Sequence, residues 1–418
     1  MRRSLRVGFV SHWFDPEGGA AAHPGTVARA MRDAGHAVTV VTGYPTYPEG
    51  KVFSGYKIRP WVTEKIDGLT VIRGAIYPSH DSRSSHRAAN YLSFATSGSA
   101  LSVAALRDVD VVYVYSSPAT TAIPAMTLRA LTGIPYVLHI QDLWPQTVLS
   151  SGFIEGSNGR VERGLHRFCD ATYRRAQTVA VTSPGMADLI IERGVPRSKL
   201  AWIPNWADEK SFYPTTPTSA TLTSLGPLRD FTAMYAGNFG ELQALDTVIE
   251  AADLLRGRRD IGFLLVGGGV AEPQLREMVR THGLDNVRFA TPQPFGQMAQ
   301  VLSAGDTQIV SLRDRPLFAS TLPSKLQANL AAGRPIVGAV RGDAARVIKD
   351  SGAGDVVEPE DAHGLAEALA RQANLTGPAR RAMGLSGRRY YEDQFSECAL
   401  RERLDDVLQA AAQVGRSR

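Results

Sequence analysis

Cysteine is almost missing from this chain: Cys169 and Cys398 are the only two in 418 residues. Two cysteines cannot build a disulfide framework, and neither stands at the spacing of a metal-binding pair. A reduced, cytoplasmic setting fits that count. Long apolar runs are missing too, since no stretch reaches the roughly 18 residues needed to cross a bilayer. The opening Met1-Arg2-Arg3-Ser4-Leu5-Arg6 resembles the basic head of a signal peptide. The apolar run Val7–Val10 behind it is cut short by Ser11, His12 and Asp15, so it reads as a buried first strand. Low-complexity segments and charge runs are also absent, which argues against disorder. Charged residues make up 21% and the net charge is +5, spread along the chain. That surplus suggests anionic small molecules or lipid headgroups as partners, and no nucleic acid.

What is present is enough apolar material for more than one core. The chain is 44% hydrophobic, and single cores stop growing near about 250–300 residues, so two domains are expected. The pattern opens with strand Leu5–Ser11, a break at Pro16-Glu17-Gly18-Gly19-Ala20, a helix over Pro24–Asp33 closed by Gly35, and a β-branched strand Val38–Val41. Such a unit implies parallel strands with a right-handed crossover. Further buried strands are expected at Val109–Tyr115, Tyr136–Ile140 and Thr178–Thr182.

The alternation then starts afresh. Strand Phe231–Ala236 leads to helix Ala244–Leu255, and strand Ile261–Val266 ends at Gly267-Gly268-Gly269 before a helix to His282. Strands follow at Val287–Ala290, Thr307–Ser311, Pro335–Ala339 and Asp355–Val357. The expected division is a first domain over 1–207, a linker over 208–230 and a second domain over 231–395. A C-terminal helix over 396–418 is left free to pack back on the first domain. The fold class is α/β, with two doubly wound domains facing across a cleft where ligands bind beyond the carboxyl ends of the strands.

Four clusters can carry chemistry. Gly18 and Gly19 end the first strand, either as a tight turn or as a backbone approach to a phosphate or sugar. Gly267-Gly268-Gly269 allows the same two readings. In His139-Ile140-Gln141-Asp142-Leu143-Trp144-Pro145, polar groups interrupt a buried strand at its carboxyl end. Asp142 there can take a proton from an incoming hydroxyl, while His139 reads first as a satisfied core histidine and second as an acceptor-side group. In the last cluster, Arg313-Asp314 precedes Ser320-Thr321-Leu322-Pro323-Ser324-Lys325-Leu326. Thr321 or Ser324 can cap the helix that follows, leaving N–H groups for an anion. Lys325 in its first turn opposes the helix dipole unless a bound diphosphate offsets it, the alternative being a solvated surface lysine.

Six segments in fixed order carry a family resemblance. They are Gly43-Tyr44-Pro45-Thr46-Tyr47-Pro48-Glu49-Gly50-Lys51, Gln141-Asp142-Leu143-Trp144-Pro145 and Ile203-Pro204-Asn205-Trp206. The later ones are Tyr235-Ala236-Gly237-Asn238-Phe239-Gly240 with Gln243-Ala244-Leu245, then Pro323-Ser324-Lys325-Leu326, and Leu330-Ala331-Ala332-Gly333-Arg334-Pro335. With these the chain resembles family 4 glycosyltransferases of the GT-B fold, close to the bacterial O-antigen and colanic-acid transferases of deoxy and N-acetylamino sugars. The resemblance implies retaining transfer from a nucleotide-diphosphate sugar, UDP-linked by expectation, with no metal and no cofactor. Gly18, Gly19, Gly237, Asn238, Gln243, Arg313, Ser324 and Lys325 are then donor-side residues, Asp142 the catalytic one, and His139, Gln141 and Trp144 acceptor-side.

The sequence departs from the wider family at five positions. Ser320 and Ala328 stand where two glutamates are usual, Asn238 and Gln243 where a diphosphate-binding Arg and Lys are usual, and Gln141 where a histidine often precedes the aspartate. The close subgroup shares the Gly-Asn and Gln features, so the reading is a variant site, with Arg313 and Lys325 as the remaining cations. The acceptor is expected to be a lipid-linked or cell-surface glycan, with peripheral contact at the inner face of the membrane. Tyr91–Leu106 with Arg83, His86 and Arg87 is the candidate patch, or else an ordinary buried helix. The alternatives are transfer to a soluble small molecule such as an antibiotic, and a non-catalytic sugar-nucleotide-binding protein.

Overall fold

A computed structural model describes residues 3–79, 83–150 and 159–416. Of the basic opening segment, Met1 and Arg2 lie outside the described residues, as do residues 417–418 of the last expected helix. The chain divides into two compact units: residues 1–204 with 401–418, and residues 205–400.

Among the described residues, unit 1 holds eight strands: β1 (Arg6–Ser11), β2 (Ala37–Gly43), β3 (Trp61–Ile66), β4 (Leu69–Gly74), β5 (Val111–Ser116), β6 (Tyr136–Ile140), β7 (Thr178–Val181) and β8 (Leu200–Trp202). Their order is β3-β4-β2-β1-β5-β6-β7-β8, and β3 alone runs antiparallel to its neighbour. β5 and β6 are buried at every residue, as expected of parallel strands covered on both faces. The hairpin β3–β4 escapes the periodicity reading. Its signal is Asp67-Gly68, both at positive φ, a two-residue turn between alternating runs.

The helix His23–Asp33 starts with proline in its first turn and buries Val27, Ala28, Ala30 and Met31. The last helix, Glu397–Arg416, adds its residues from 401 onward to unit 1. Leu404, Leu408 and Ala411 are buried there, Asp405 pairs with His36 at 3.2 Å, and Gln409 donates to the Arg3 carbonyl at 2.7 Å.

Unit 2 holds six parallel strands: β9 (Phe231–Asn238), β10 (Ile261–Gly268), β11 (Val287–Ala290), β12 (Thr307–Ser311), β13 (Ile336–Ala339) and β14 (Gly354–Val357). Their order is β11-β10-β9-β12-β13-β14. The core on one face joins Phe231, Ala233 and Tyr235 of β9 to Val248 and Ile249 of the following helix and to Leu365 and Leu369. The stretch 208–230 falls within this unit and carries a short helix, Ser219–Leu225, capped by the Thr218 hydroxyl.

Chain order reverses between β1 and β5 in unit 1 and between β9 and β12 in unit 2. Successive crossovers leave such a pair in opposite directions, so the loops beyond its carboxyl ends part and leave room for a ligand. Among the described residues, no helix is long and apolar enough to cross a membrane.

Candidate functional site

In unit 2 the reversal point is built from backbone and one cation. β9 and β10 stay paired to their ends, with Gly237 opposite Gly267 and Asn238 opposite Gly268. Gly237 and Gly267 both have φ of +145°, a region L side chains rarely adopt. A Cβ on Gly267 would overlap the Gly237 carbonyl, and a Cβ on Gly237 would overlap Lys325 Cε. The missing side chain of Gly237 is therefore what admits the lysine. The space beside Gly240 is filled in turn by Gln243 Oε1 and Asn238 Nδ2. The structure thus brings Gly237, Asn238, Gln243 and Lys325 together, with the exposed Ser324 one residue before the lysine.

Lys325 is half-buried, and its Nζ lies 5.0 Å from the centroid of the Tyr235 ring. Tyr235 is itself held by donating from its hydroxyl to the Asn238 carbonyl at 2.7 Å. Among the described residues no carboxylate pairs with Lys325, and burial lowers its pKa to about 8. The helix that Lys325 enters, Ser324–Ala331, has Pro323 as its N-cap and no side-chain cap. The expected capping by Thr321 or Ser324 is therefore corrected: Thr321 turns back to the Leu317 carbonyl at 2.9 Å. An uncapped helix start beside an unpaired ammonium is electropositive.

Arg313 differs. Its guanidinium bonds Asp246 Oδ2 at 2.6 Å, Glu360 Oε1 at 2.9 Å and the Glu241 carbonyl at 3.1 Å. Arg313, expected with Lys325 as one of the remaining cations nearest the diphosphate, is a strut whose charge is matched twice, tying the β9, β12 and β14 loops together. Of the two positions where glutamate is usual, Ser320 is buried and donates to the Leu317 carbonyl at 3.1 Å, and Ala328 is buried.

In unit 1 the corresponding edge is a hydrogen-bonded cluster. β5 and β6 pair Tyr115 with His139 and Ser116 with Ile140, so the residues just past them, Ser117 and Asp142, emerge side by side. Ser117 Oγ donates to Asp142 Oδ2 at 2.6 Å. Burial raises the Asp142 pKa, and the Ser117 bond works against that rise. The backbone beyond Asp142 is anchored, because the Trp144 carbonyl accepts from Arg193 at 2.8 Å and from the Tyr173 hydroxyl at 3.1 Å. Gln141, half-buried, bonds through its N–H to the Ser116 carbonyl at 3.3 Å.

His139 is the satisfied core histidine of the sequence reading, and its acceptor-side placement is corrected. It is fully buried, with Nδ1 2.6 Å from the Tyr113 hydroxyl and Nε2 2.9 Å from the Ile203 carbonyl. Nε2–H donates to the carbonyl and Tyr113 donates to Nδ1, so no ring nitrogen is left for an acceptor. Burial lowers its pKa to about 4. Gly18 and Gly19 are exposed in the loop after β1, with open space where a Cβ would stand. Ser117 is the residue that sequence reading missed; its signal is a polar pair, Ser116-Ser117, ending a wholly buried strand.

Two doubly wound units in one chain, each with polar groups gathered past the carboxyl ends of its strands, define a GT-B glycosyltransferase fold. Solved structures agree. Sucrose-phosphate synthase from Thermosynechococcus elongatus superposes with a TM-score of 0.71 at 18% identity, covering 99% of this chain and all of that one. HepE of Anabaena in complex with UDP-glucose does so at 0.69 and 15%, covering 97% of this chain and all of its own. Residues 18–206 match the glycosyl transferase 4-like domain, and residues 230–374 match glycosyl transferases group 1. The putative colanic acid biosynthesis glycosyl transferase WcaI of Escherichia coli is 30% identical over 323 residues, 75% of this chain and 78% of WcaI. The probable glycosyltransferase WbjE of Pseudomonas aeruginosa is 26% identical over 62% of this chain and 65% of its own length. The chain belongs to the family 4 glycosyltransferases.

Proposed function

We propose that this glycosyltransferase moves a sugar from a UDP-linked donor to a hydroxyl of a cell-surface or lipid-linked glycan, with retention and without a metal ion or other cofactor. The observation that carries the donor side is Lys325, a half-buried ammonium with no acidic partner among the described residues, at an uncapped helix start. A diphosphate supplies the missing countercharge, and its leaving oxygen is met by that cation and by backbone N–H groups. Gly237 keeps the backbone clear, and Asn238, Gln243 and Ser324 offer neutral hydrogen bonds. Gly18 and Gly19 are assigned to the donor as an exposed loop in unit 1 that a phosphate or sugar can approach.

Asp142 is assigned to the acceptor hydroxyl. Its orientation by Ser117 and its raised pKa suit a group that takes a proton. Gln141 and Trp144 flank it on the acceptor side. Retention follows the family, with attack and departure on the same face of the sugar, so the leaving phosphate can share the proton. The acceptor class is supported by similarity to WcaI and WbjE, and UDP by HepE, which has the same fold and was solved with UDP-glucose.

A donor panel of UDP-, GDP-, ADP- and dTDP-sugars, read by nucleotide release, tests the base preference. Turnover in EDTA is expected to equal turnover in magnesium. Loss in EDTA restored by magnesium or manganese overturns the metal-independent reading, and preference for another base overturns UDP.

A further inference from the structure

Unit 1 carries a row of aromatic rings at the same end of its sheet as Asp142. Trp13 follows β1, Tyr47 follows β2, Tyr91 stands in the helix Ser84–Ala105, and Trp144 follows β6. Tyr47 and Trp13 have ring centroids 5.9 Å apart, Trp13 and His12 5.0 Å, His12 and Tyr91 5.5 Å, and Tyr91 and Trp144 6.1 Å. Four separate segments therefore build one unbroken row, whose last member is two residues from the carboxylate.

This is not simply the inner core. Phe9, Phe14 and Tyr113 have no exposure, whereas Trp13, Tyr47, Tyr91 and Trp144 are all half-buried. His12, at the centre, is buried, and its Nε2–H donates to Asn90 Oδ1 at 2.8 Å. Among the described residues its Nδ1 has no hydrogen-bond partner. The contacts along the row are edge-to-face, with interplanar angles from 61° to 84°. In such a contact one ring's edge meets one face of its neighbour and leaves the opposite face outside that contact.

We propose that this row is a platform on which a pyranose ring of the acceptor stacks, which rests on the reading of Asp142 as the group facing the acceptor hydroxyl. One face of a pyranose chair presents axial C–H groups, weakly positive and apolar, while its hydroxyls point outward around the rim. An aromatic face is apolar and carries negative quadrupole density, so it complements those C–H groups. The rim hydroxyls need polar neighbours, and the row supplies tyrosine hydroxyls, with Arg87 bonded to the Tyr91 hydroxyl at 3.2 Å. An acyl chain would be served better by an aliphatic lining, and the row has no aliphatic member.

The probes are methyl α-D-glucopyranoside, methyl α-D-galactopyranoside and methyl α-D-mannopyranoside, with sorbitol as the open-chain control, each added to the full chain holding UDP. Saturation-transfer NMR is expected to mark the C–H protons on one ring face of at least one pyranoside and to leave sorbitol unmarked. Trp144→Leu should lower the transfer at least about threefold, the scale of one aromatic contact, and Trp144→Phe should preserve it. Both variants fill similar space, so melting temperatures separate loss of folding from loss of the ring. Equal transfer to sorbitol, equal behaviour of the Leu and Phe variants, or displacement of the pyranoside by octanol or by uridine overturns the proposal. Nucleotide release from UDP-sugars, measured on the same preparation, reports the transferase reading separately. Release without pyranoside contact sinks the platform alone, and pyranoside contact without release sinks the transferase reading alone.

Discussion

The two units treat polar groups at the same edge of the same kind of sheet in opposite ways. In unit 1 three buried or half-buried groups at the edge are matched: His139 sits between Tyr113 and Ile203, Asp142 holds Ser117, and the buried Glu17 accepts three backbone N–H groups. In unit 2 the edge is left unmatched at Lys325, which lies over the Tyr235 ring and has no carboxylate partner among the described residues. A matched carboxylate keeps one orientation, which proton transfer requires. An unmatched cation keeps its attraction for an anion, which binding requires. Burial acts on both and disfavours charge in each, raising Asp142 and lowering Lys325 to about 8. The contrast with Arg313 lies inside unit 2: two carboxylates already satisfy that guanidinium, so it holds loops together.

The comparison is tested most strongly at Asp142. Asp142→Asn keeps an oxygen for Ser117 and removes the proton acceptor, so turnover should fall about a hundredfold, within the range for a positioned base. Donor affinity should stay nearly unchanged. Turnover, donor affinity and melting temperature measured on one preparation decide this. Full turnover, or a stability loss large enough to explain the defect, removes the catalytic role.

Lys325→Ala comes next. It should weaken UDP-sugar binding by about 1.5–3 kcal/mol, the range for hydrogen bonds to charged groups, or roughly 10–150-fold. Calorimetric titration that shows unaltered affinity would take Lys325 out of the site.

A smaller effect follows from pH. The form that binds is the ammonium, so affinity should hold steady below pH 8 and fall about tenfold per unit above it. Lys325→Ala should abolish that slope. A wild-type profile flat from pH 7 to about 10 contradicts an ammonium poised near 8.

Arg313→Ala should do least to the donor. Affinity is expected to stay within about threefold of wild type, while stability drops by about 1 kcal/mol as Asp246 and Glu360 lose their partner. Denaturant unfolding beside a donor titration reads both. A loss of affinity matching that of Lys325→Ala would return Arg313 to the diphosphate.

Much of the architecture is legible in the sequence because buried parallel strands are dense in apolar residues and end at polar or glycine punctuation. Tyr136–Ile140, Val287–Ala290 and Thr307–Ser311 read directly as strands with the bounds seen in the structure. The hairpin Trp61–Gly74 is not legible by periodicity, since an edge strand alternating exposed and half-buried residues lacks a strong apolar run. Asp142 and Lys325 stand out as polar groups at places where a strand ends or a helix begins.

What those groups do with their charge was decided only by tertiary contacts. Nothing near Arg313 in the sequence announces Asp246, 67 positions away, or Glu360, 47 positions away. Nothing near His139 announces Ile203 as the partner that makes it a core residue. The sequence by itself determined the strand and helix pattern, the doubly wound class and the ends where polar groups collect, because these follow from local apolar periodicity. Only the tertiary structure decided which of those groups are neutralised and which keep an open charge, because pairing and burial depend on residues that the fold brings together from distant parts of the chain.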